Sequence, residues 1–414
     1  MLQPYPVRLV VSAIALFFLG CVVSCGGGSG GGGTAALPPF NLYWSCVVAD
    51  LNGDGKFDIA VSYSRIAGAP PHPGAVAIYL QDPSIRGTFL PPVTYDVGND
   101  PAAVAVADLN GDGKLDIVTA NTILSADGTG SSSVSVLLQD PVNPGSFLPA
   151  VNYPTGFSPV HVAIGDLNED GKPDLAVADT TGISILLQNP AAPGQFLPLR
   201  TIPIGNGGSS SVAIADLNGD GKADLVATAS DALVYLQDPS SPGNFLAPVH
   251  YTVGAQPAAI AIADFNADGL PDLAIANLGS PDGISVHASL SVLLQSPAGV
   301  GSFLPATSYS TGLYSWTITV ADLNGDGRQD IAVGNMGSFS GGSIAVFLQN
   351  PASPGTFQSA TNYAESGAVS CVVAADIEGD GRQDLVITAN GLEIRFQDPA
   401  NPGLFLAPVV IASP

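Results

Sequence analysis

One nine-residue pattern, Asp-x-Asn-x-Asp-Gly-x-x-Asp, occurs seven times along this chain of 414 residues, once with glutamate at the third position. Its copies begin 48 to 58 residues apart, a spacing that is typical of proteins built from one repeated structural unit. Because such a unit buries its hydrophobic face only against its neighbours, the seven units are expected to form one continuous architecture. The copies begin at Asp50, Asp108, Asp166, Asp216, Asp264, Asp322 and Asp376.

The side chains of the pattern are oxygen donors at a fixed spacing. In the second copy, Asp108, Asn110 and Asp112 hold positions 1, 3 and 5, and their oxygens can converge if the backbone curls tightly. Gly113 at position 6 permits the sharp turn, and Asp116 at position 9 completes the set. Since Ca²⁺ takes about six to eight oxygen ligands, this donor set fits that cation. A single copy would also suit an ordinary turn, but seven copies that keep positions 1, 5, 6 and 9 predict up to seven Ca²⁺ ions.

Each loop is predicted to supply four side-chain ligands, from positions 1, 3, 5 and 9. Glu378 takes position 3 of the seventh loop, so that loop has one more charge and a longer side chain than the others. Its metal affinity is therefore expected to differ. The predicted ligands are Asp50, Asn52, Asp54, Asp58, Asp108, Asn110, Asp112, Asp116, Asp166, Asn168, Asp170, Asp174, Asp216, Asn218, Asp220, Asp224, Asp264, Asn266, Asp268, Asp272, Asp322, Asn324, Asp326, Asp330, Asp376, Glu378, Asp380 and Asp384.

The segments that flank each loop predict β-strands rather than helices. Residues Ala103–Ala107 alternate alanine with valine before the second loop, and β-branched residues follow Asp116. An EF-hand would instead place its last carboxylate at position 12, on a helix. Each loop is therefore predicted to be the tip of a β-hairpin.

A second signature follows every loop, in which a strand ends at glutamine, proline comes two residues later, and a Gly-x-Phe segment begins the next strand. Proline and glycine between the strands cannot continue a strand interior, so each repeat is predicted to contain four short strands. This predicts an all-β, seven-bladed β-propeller with four antiparallel strands per blade, over residues 37–414. A β-solenoid is the main alternative. Ring closure is open, because the last outer strand could come from Leu37–Phe40 or from Phe405–Ile411 alone.

The loops, together with the Phe-Leu-Pro-Ala-Val strand that begins at Phe147, resemble FG-GAP/VCBS-type repeats, the class that includes the integrin α-chain propeller. The resemblance covers residues 40–414 and implies that the calcium hairpin joins the first and second strands of each blade. It implies no particular function. Glu378 departs from the family pattern and leaves the seventh site the least well matched.

The acidity of the chain is concentrated in the loops. The net charge is −24, with 35 acidic residues and only 11 lysine and arginine residues. The predicted ligand positions hold 22 of the acidic residues, and seven Ca²⁺ ions would bring the net charge to −10. So few basic residues argue against a surface that binds nucleic acid. Because the three carboxylates of a metal-free loop repel one another, calcium binding is expected to be coupled to folding.

The N-terminus predicts an exported protein. The apolar run Leu9–Val23 is short for a membrane span and typical of a signal peptide. The segment that ends at Cys25 resembles a bacterial lipobox, so residues 1–25 are predicted to be a lipoprotein-type signal peptide with the lipid on Cys25. A signal peptide cleaved elsewhere is the alternative. Residues 26–36 are predicted to be a flexible glycine-rich linker, and the protein is expected in the periplasm or at the cell surface, touching the membrane only through its lipid.

Two cysteines, Cys46 and Cys371, precede the calcium loops of the first and the seventh repeat. These repeats become neighbours when the ring closes, so the two residues are a candidate disulfide in an oxidising compartment. The alternative is a pair of buried thiols that act as small hydrophobic side chains.

Strand order predicts the calcium hairpins on one face of the disc and connections of variable length on the other. We name the second face the variable-loop face, and variable loops on a rigid frame commonly carry binding sites. Aromatic residues in the connections between the last strand of one blade and the first strand of the next are candidates for stacking on sugar rings or anchoring a partner protein. Ordinary packing is the alternative. The candidates are Trp44, Phe157, Tyr314 and Trp316.

The sequence shows no local signature of catalysis, and no residue is predicted to be catalytic. The histidines are scattered, at His72, His161, His250 and His287. The predicted function is that of a monomeric, calcium-stabilised, lipid-anchored extracytoplasmic propeller that binds a protein or carbohydrate ligand in adhesion or scaffolding. A carbohydrate-binding lectin, a polysaccharide-active lyase or hydrolase, and a purely structural domain are the alternatives.

Overall fold

The computed structural model describes residues 40–66, 72–122, 131–205, 208–280, 287–299, 301–338 and 341–412. In these ranges the chain forms 28 β-strands and no helix. The strands make seven sheets, each of four consecutive antiparallel strands, which confirms the predicted seven-bladed propeller and excludes a solenoid. The predicted signal peptide, its Cys25 and the linker lie outside the described residues. Within the described residues, no helix has the length and apolar character needed to cross a bilayer.

The strands follow one another from blade to blade in chain order. Blades 1 and 2 contain β1 (Phe40–Ala49), β2 (Asp58–Ile66), β3 (Gly74–Tyr79), β4 (Val93–Val97), β5 (Pro101–Ala107), β6 (Asp116–Asn121), β7 (Ser133–Leu137) and β8 (Val151–Pro154). Blades 3 and 4 contain β9 (His161–Gly165), β10 (Asp174–Asp179), β11 (Gly182–Leu186), β12 (Arg200–Pro203), β13 (Ser211–Ala215), β14 (Asp224–Thr228), β15 (Ala232–Tyr235) and β16 (Val249–Tyr251). Blades 5 to 7 contain β17 (Pro257–Ala263), β18 (Asp272–Asn277), β19 (Ser289–Leu293), β20 (Thr307–Ser310), β21 (Ser315–Ala321), β22 (Asp330–Ser338), β23 (Gly341–Phe347), β24 (Thr361–Ala364), β25 (Cys371–Ala375), β26 (Asp384–Thr388), β27 (Leu392–Arg395) and β28 (Val409–Ile411).

The first strand of each blade lies at the centre of the ring. Each first strand packs against the first strand of the next blade, and β25 of blade 7 packs against β1 of blade 1. Ala103, Ala105 and Ala107 illustrate why the strands can crowd together there, because small side chains let neighbouring backbones approach closely.

The hydrophobic core lies between adjacent blades. The second and third strands of each blade are buried, whereas the outer strands are largely exposed. Phe147 of blade 2 packs with Leu51 of blade 1, and its ring meets that of Tyr95 edge-on at a centroid distance of 5.6 Å. The backbone N–H of Phe147 also donates to the Tyr95 hydroxyl at 3.2 Å. Phe147 therefore fills the space between neighbouring blades.

Blade 7 takes all four of its strands from the C-terminal part of the chain. Its outer strand β28 pairs with β27, while β1 pairs only with β2 in blade 1. Of the two alternatives for ring closure, the structure therefore supports Phe405–Ile411. Side chains hold the boundary between blades 7 and 1, where Gln81 Nε2 donates to the carbonyl of Ile377 at 2.9 Å.

Candidate metal loops and ligand face

The seven predicted metal loops are held closed by their own carboxylates. In the first loop, Asp50 accepts hydrogen bonds from the backbone N–H groups of positions 4, 5 and 6 at 2.7–3.0 Å. Asn52 accepts one from the N–H of Asp54, and Asp54 accepts one from the N–H of position 7. Gly55 has a φ of 82°, a left-handed conformation that glycine adopts without steric cost. The position-1 carboxylate accepts the N–H groups of positions 5 and 6 in every loop.

The aspartate at position 9 is buried and ties the hairpin together. Asp58 accepts the N–H of Leu51, at position 2 of its own loop, at 2.9 Å. Its other oxygen accepts the N–H of Gln81 at 2.8 Å, at the end of the third strand. The same pair of hydrogen bonds occurs in all seven loops. This residue therefore links the metal loop to the rest of its blade.

Burial raises the pKa of the position-9 carboxyl groups. For Asp58, burial raises the pKa to about 6, against the opposing effect of the N–H groups of Gln81 and Leu51. The negative charges of Asp54 and Asp50 raise it further. The carboxylates of one loop thus lie close enough to repel one another, a charge pattern that a divalent cation would neutralise. Burial also raises the pKa of Asp116, Asp174, Asp272 and Asp384 to about 6, that of Asp330 to about 7, and that of Asp224.

The chemistry of the donor set fits a hard cation, since six loops offer three carboxylates and an amide oxygen and the seventh offers four carboxylates. Each carboxylate oxygen has two lone pairs, so an oxygen that accepts one N–H group can still bind a metal. Among the residues that the structure describes, no three histidine, cysteine, aspartate or glutamate side chains are grouped as metal ligands. Binding would therefore require the loop side chains to turn towards a common centre, and calcium stays a prediction.

At five of the blade boundaries, a glutamine at the end of a third strand connects its blade to a loop of the preceding blade. Gln139 Nε2 of blade 2 donates to the carbonyl of Leu51 in the first loop at 2.8 Å and to that of Leu115 at 2.9 Å. Leu51 thus gives its N–H to Asp58 and its carbonyl to the neighbouring blade. This role was not predicted, although a polar residue kept in all seven repeats at a buried strand end was a signal for it. The carbonyl at position 2 is bonded in the same way by Gln81, Gln188, Gln237 and Gln397.

Three of the four predicted ligand-face aromatics come together. Trp44 packs with Met336, and Tyr314 and Trp316 pack against them. We name these four residues the aromatic cluster. Trp44 and Met336 are buried, whereas Tyr314 and Trp316 are half-buried. The cluster joins blades 1 and 6 over the inner end of blade 7, which contributes Ala368 there. Phe157 lies in blade 3, apart from the cluster.

Backbone irregularities position the cluster. The two tryptophans lie within first strands rather than in the connections before them, and the register of β1 shifts at Trp44 and that of β21 shifts at Trp316. The equivalent shifts in β5 and β17 leave Ala102 and Ala258 unpaired. Such bulges re-aim a side chain. Tyr314 has a φ of 58°, a costly left-handed conformation for a bulky side chain.

A buried polar network lies behind Trp44. The indole Nε1 donates to Ser64 Oγ at 2.7 Å, and the carboxylate of Asp100 lies near the side chain of Ser64. Asp100 Oδ1 lies 3.1 Å from Nδ1 of His72. Because Asp100 lies between the serine and the histidine, the imidazole faces the carboxylate rather than the serine hydroxyl, and the arrangement is not that of a catalytic triad.

The other histidines lie apart from one another. His161 Nδ1 is buried without a hydrogen-bond partner, and burial lowers the pKa of this histidine to about 4. His250 is exposed, with its Nδ1 at 3.6 Å from Asp231 Oδ2, and His287 is exposed.

Comparison with known families identifies the repeats. Models of the FG-GAP-like repeat match residues 66–119 and 166–227, and a model of the FG-GAP repeat matches residues 314–347. The chain therefore contains FG-GAP-like repeats, as the loop pattern predicted. Comparison with curated proteins finds no match.

Solved structures with a similar fold include three rhamnogalacturonan lyases. The lyase YesW shares 16% sequence identity and has a TM-score of 0.50, over 89% of this chain and 74% of that one. The PL11 lyase of Bacillus licheniformis shares 15% identity, with a TM-score of 0.47 over 85% of this chain and 70% of that one. The exotype lyase YesX shares 16% identity, with a TM-score of 0.47 over 89% and 74%. At this identity the likeness to YesW is one of fold alone.

Proposed function

We propose that this chain is an exported, calcium-rigidified β-propeller that binds a ligand at its variable-loop face and acts in adhesion or scaffolding. The aromatic cluster is the observation that supports this proposal. It lies at the start of the first strands, opposite the metal loops, and its half-buried rings offer flat apolar surface to a ligand. A hydrogen bond, two bulges and a left-handed residue fix its geometry. Such preorganisation lowers the entropy cost of binding.

Calcium would supply the rigidity of the frame. In every loop the position-9 carboxylate is buried near two further acidic groups, and a bound divalent cation would offset their repulsion. At ten times its dissociation constant, each ion stabilises the folded state by about 1.4 kcal/mol, or on the order of 10 kcal/mol over seven loops. Extracellular calcium modules bind with dissociation constants of about 10⁻⁴–10⁻³ M, so such loops would fill only outside the cytoplasm. A lipid on Cys25 would hold the monomeric propeller at the membrane through the glycine-rich linker.

A glycan array, probed in saturating calcium and again with chelator, tests this proposal together with its lectin alternative. Sugar rings stack on tryptophan and tyrosine, so Trp316→Ala is expected to weaken binding of any captured glycan by about tenfold. Phe157→Ala is the matched control, because it removes a half-buried aromatic ring from the same face in blade 3. Its backbone carbonyl, which accepts the N–H of Thr180, is retained. Equal affinities of the wild type and Trp316→Ala would contradict the assigned site.

A polysaccharide-active enzyme is the second candidate. The fold likeness to YesW, a rhamnogalacturonan lyase, favours it. Incubation of the calcium-loaded protein with rhamnogalacturonan tests it, because cleavage of the backbone creates new chain ends that increase with time. A signal that stays at the level of a boiled control would reject this activity.

A further inference from the structure

The boundary between blades 7 and 1, which we name the seam, differs from the other six blade boundaries because it joins the two ends of the propeller. At the other boundaries, the chain itself runs from one blade into the next. Across the seam, hydrogen bonds connect residues that are far apart in sequence, such as Gln81 with Ile377 and Cys46 with Cys371, which are 296 and 325 positions apart. No described strand crosses from one of these blades into the other. A covalent bond at the seam would therefore replace the missing chain connection.

Cys46 and Cys371 face each other at the seam, near the centre of the ring. They lie on β1 and β25, the first strands of the two blades, which pack together. Sγ of Cys371 lies 3.0 Å from the backbone nitrogen of Cys46 and 3.3 Å from its carbonyl oxygen. Both cysteines are buried and unbonded. A sulfur so close to the partner backbone brings the two Cα atoms within roughly 7 Å, near the upper end of the range that a disulfide spans.

We propose that Cys46 and Cys371 are joined by a disulfide that locks the ring. Each thiol loses a proton, the two sulfurs together lose two electrons, and one S–S bond forms. A small-molecule or protein disulfide takes up these electrons and protons by thiol–disulfide exchange and becomes two thiols. An oxidising compartment supplies such a partner, so formation of the bond in cells rests on the export contained in the proposed function.

The bond forms as the last blade docks. Burial is the main cause that raises the pKa of Cys46 well above its usual value, and the neighbouring Cys371 adds to the effect. A thiol of this kind holds little thiolate and reacts slowly once it is covered. The same burial protects the completed bond from reductants.

Refolding of the full chain in a mixture of oxidised and reduced glutathione tests the pairing. Digestion without reductant, followed by mass spectrometry, is expected to yield one cross-linked peptide pair that contains Cys46 and Cys371. Recovery of both as free alkylated thiols would overturn the proposal, and so would a bond from either of them to Cys21 or Cys25. This measurement does not depend on export, which a fractionation of producing cells tests separately.

A disulfide that holds the ring closed also predicts a change in melting temperature. Cross-linking residues this distant in sequence restricts the unfolded chain, so the oxidised protein is expected to melt about 5 °C above the same protein after reduction. Cys371→Ala is expected to abolish this oxidant-dependent difference. Val372→Ala is the control, because it truncates a neighbouring buried side chain and should lower both melting temperatures while preserving the difference. Equal melting temperatures of the cross-linked and reduced wild type would refute the locking role.

Discussion

The two faces of the propeller are built in different ways. We name the face that carries the seven predicted metal loops the metal-loop face. On the metal-loop face, seven nearly identical loops fold through hydrogen bonds between residues two to seven positions apart. On the variable-loop face, the aromatic cluster occurs once and brings together residues of blades 1 and 6. The first face is thus determined by short-range sequence and repeated sevenfold, whereas the second depends on which blades become neighbours in the closed ring. Repetition suits a frame, and a feature that occurs once suits recognition.

Removal of calcium is the largest test of this comparison. If the loops are the frame, exhaustive chelation should lower the melting temperature by on the order of 10 °C, because up to seven ions contribute about 1.4 kcal/mol each. Calorimetry in calcium, in chelator and after restoration of calcium measures the effect. Magnesium is the control cation, since it demands a smaller and more rigid shell. A stripped protein that melts at the same temperature would show that the loops hold the frame through their hydrogen bonds alone.

Gln139→Leu tests whether the metal-loop face acts as one ring rather than as seven independent hairpins. The substitution removes the donor to the carbonyls of Leu51 and Leu115, one of which belongs to the preceding blade. Two buried carbonyls without partners should lower the free energy of unfolding by about 2–4 kcal/mol in denaturant titrations. Gln195→Leu is the control, because Gln195 is exposed, and its change should stay within about 0.5 kcal/mol. Equal effects would mean that the connection between the blades contributes nothing.

The sequence was sufficient to predict the seven hairpin loops and the number of blades. The features that carried these predictions act within one repeat or between adjacent repeats. Period-two alternation predicts the strands, Gly55 and its equivalents predict the hairpin tips, and Phe147 marks a blade boundary. Contacts that skip a blade leave no periodic trace, and the meeting of Trp44 with Met336 was therefore not predicted. The buried ion pair between Arg395 of blade 7 and Glu365, which follows the outer strand of blade 6, was also missed; the two groups lie 2.6 Å apart, and the other blades have leucine, tyrosine or phenylalanine at the position of Arg395.

His161 offers a pH test of the variable-loop face. The unfolded histidine binds a proton below its ordinary pKa of about 6.5, whereas burial lowers the pKa in the folded protein to about 4. Between these values the unfolded state binds more protons, so this group destabilises the fold as the pH falls from 6.5 towards 4. We therefore compare the free energy of unfolding of His161→Gln with that of the wild type in saturating calcium. The difference should favour the variant by about 1–2 kcal/mol more at pH 5 than at pH 7.5.

Denaturant titrations of both proteins at the two pH values measure this difference. His250→Gln is the control, because it makes the same substitution at an exposed histidine. If His161→Gln shows the same stability relative to the wild type at both pH values, the histidine gains its proton in the folded protein as readily as in the unfolded chain.

The smallest expected effect concerns two strained residues, one that packs in the aromatic cluster and one that does not. Gln256 and Tyr314 occupy equivalent positions before the bulges of blades 5 and 6, with φ values of 53° and 58°. Gln256→Gly should raise the free energy of unfolding by about 0.5 kcal/mol, because relief of the left-handed strain exceeds the added entropy of the unfolded chain. Tyr314→Gly relieves the same strain but loses the packing of its ring on the cluster, so it should lower stability instead. Denaturant titrations of the two variants measure both free energies of unfolding. A higher free energy of unfolding in both variants would mean that the tyrosine contributes no packing to the fold, and that its strained backbone is maintained only for a ligand.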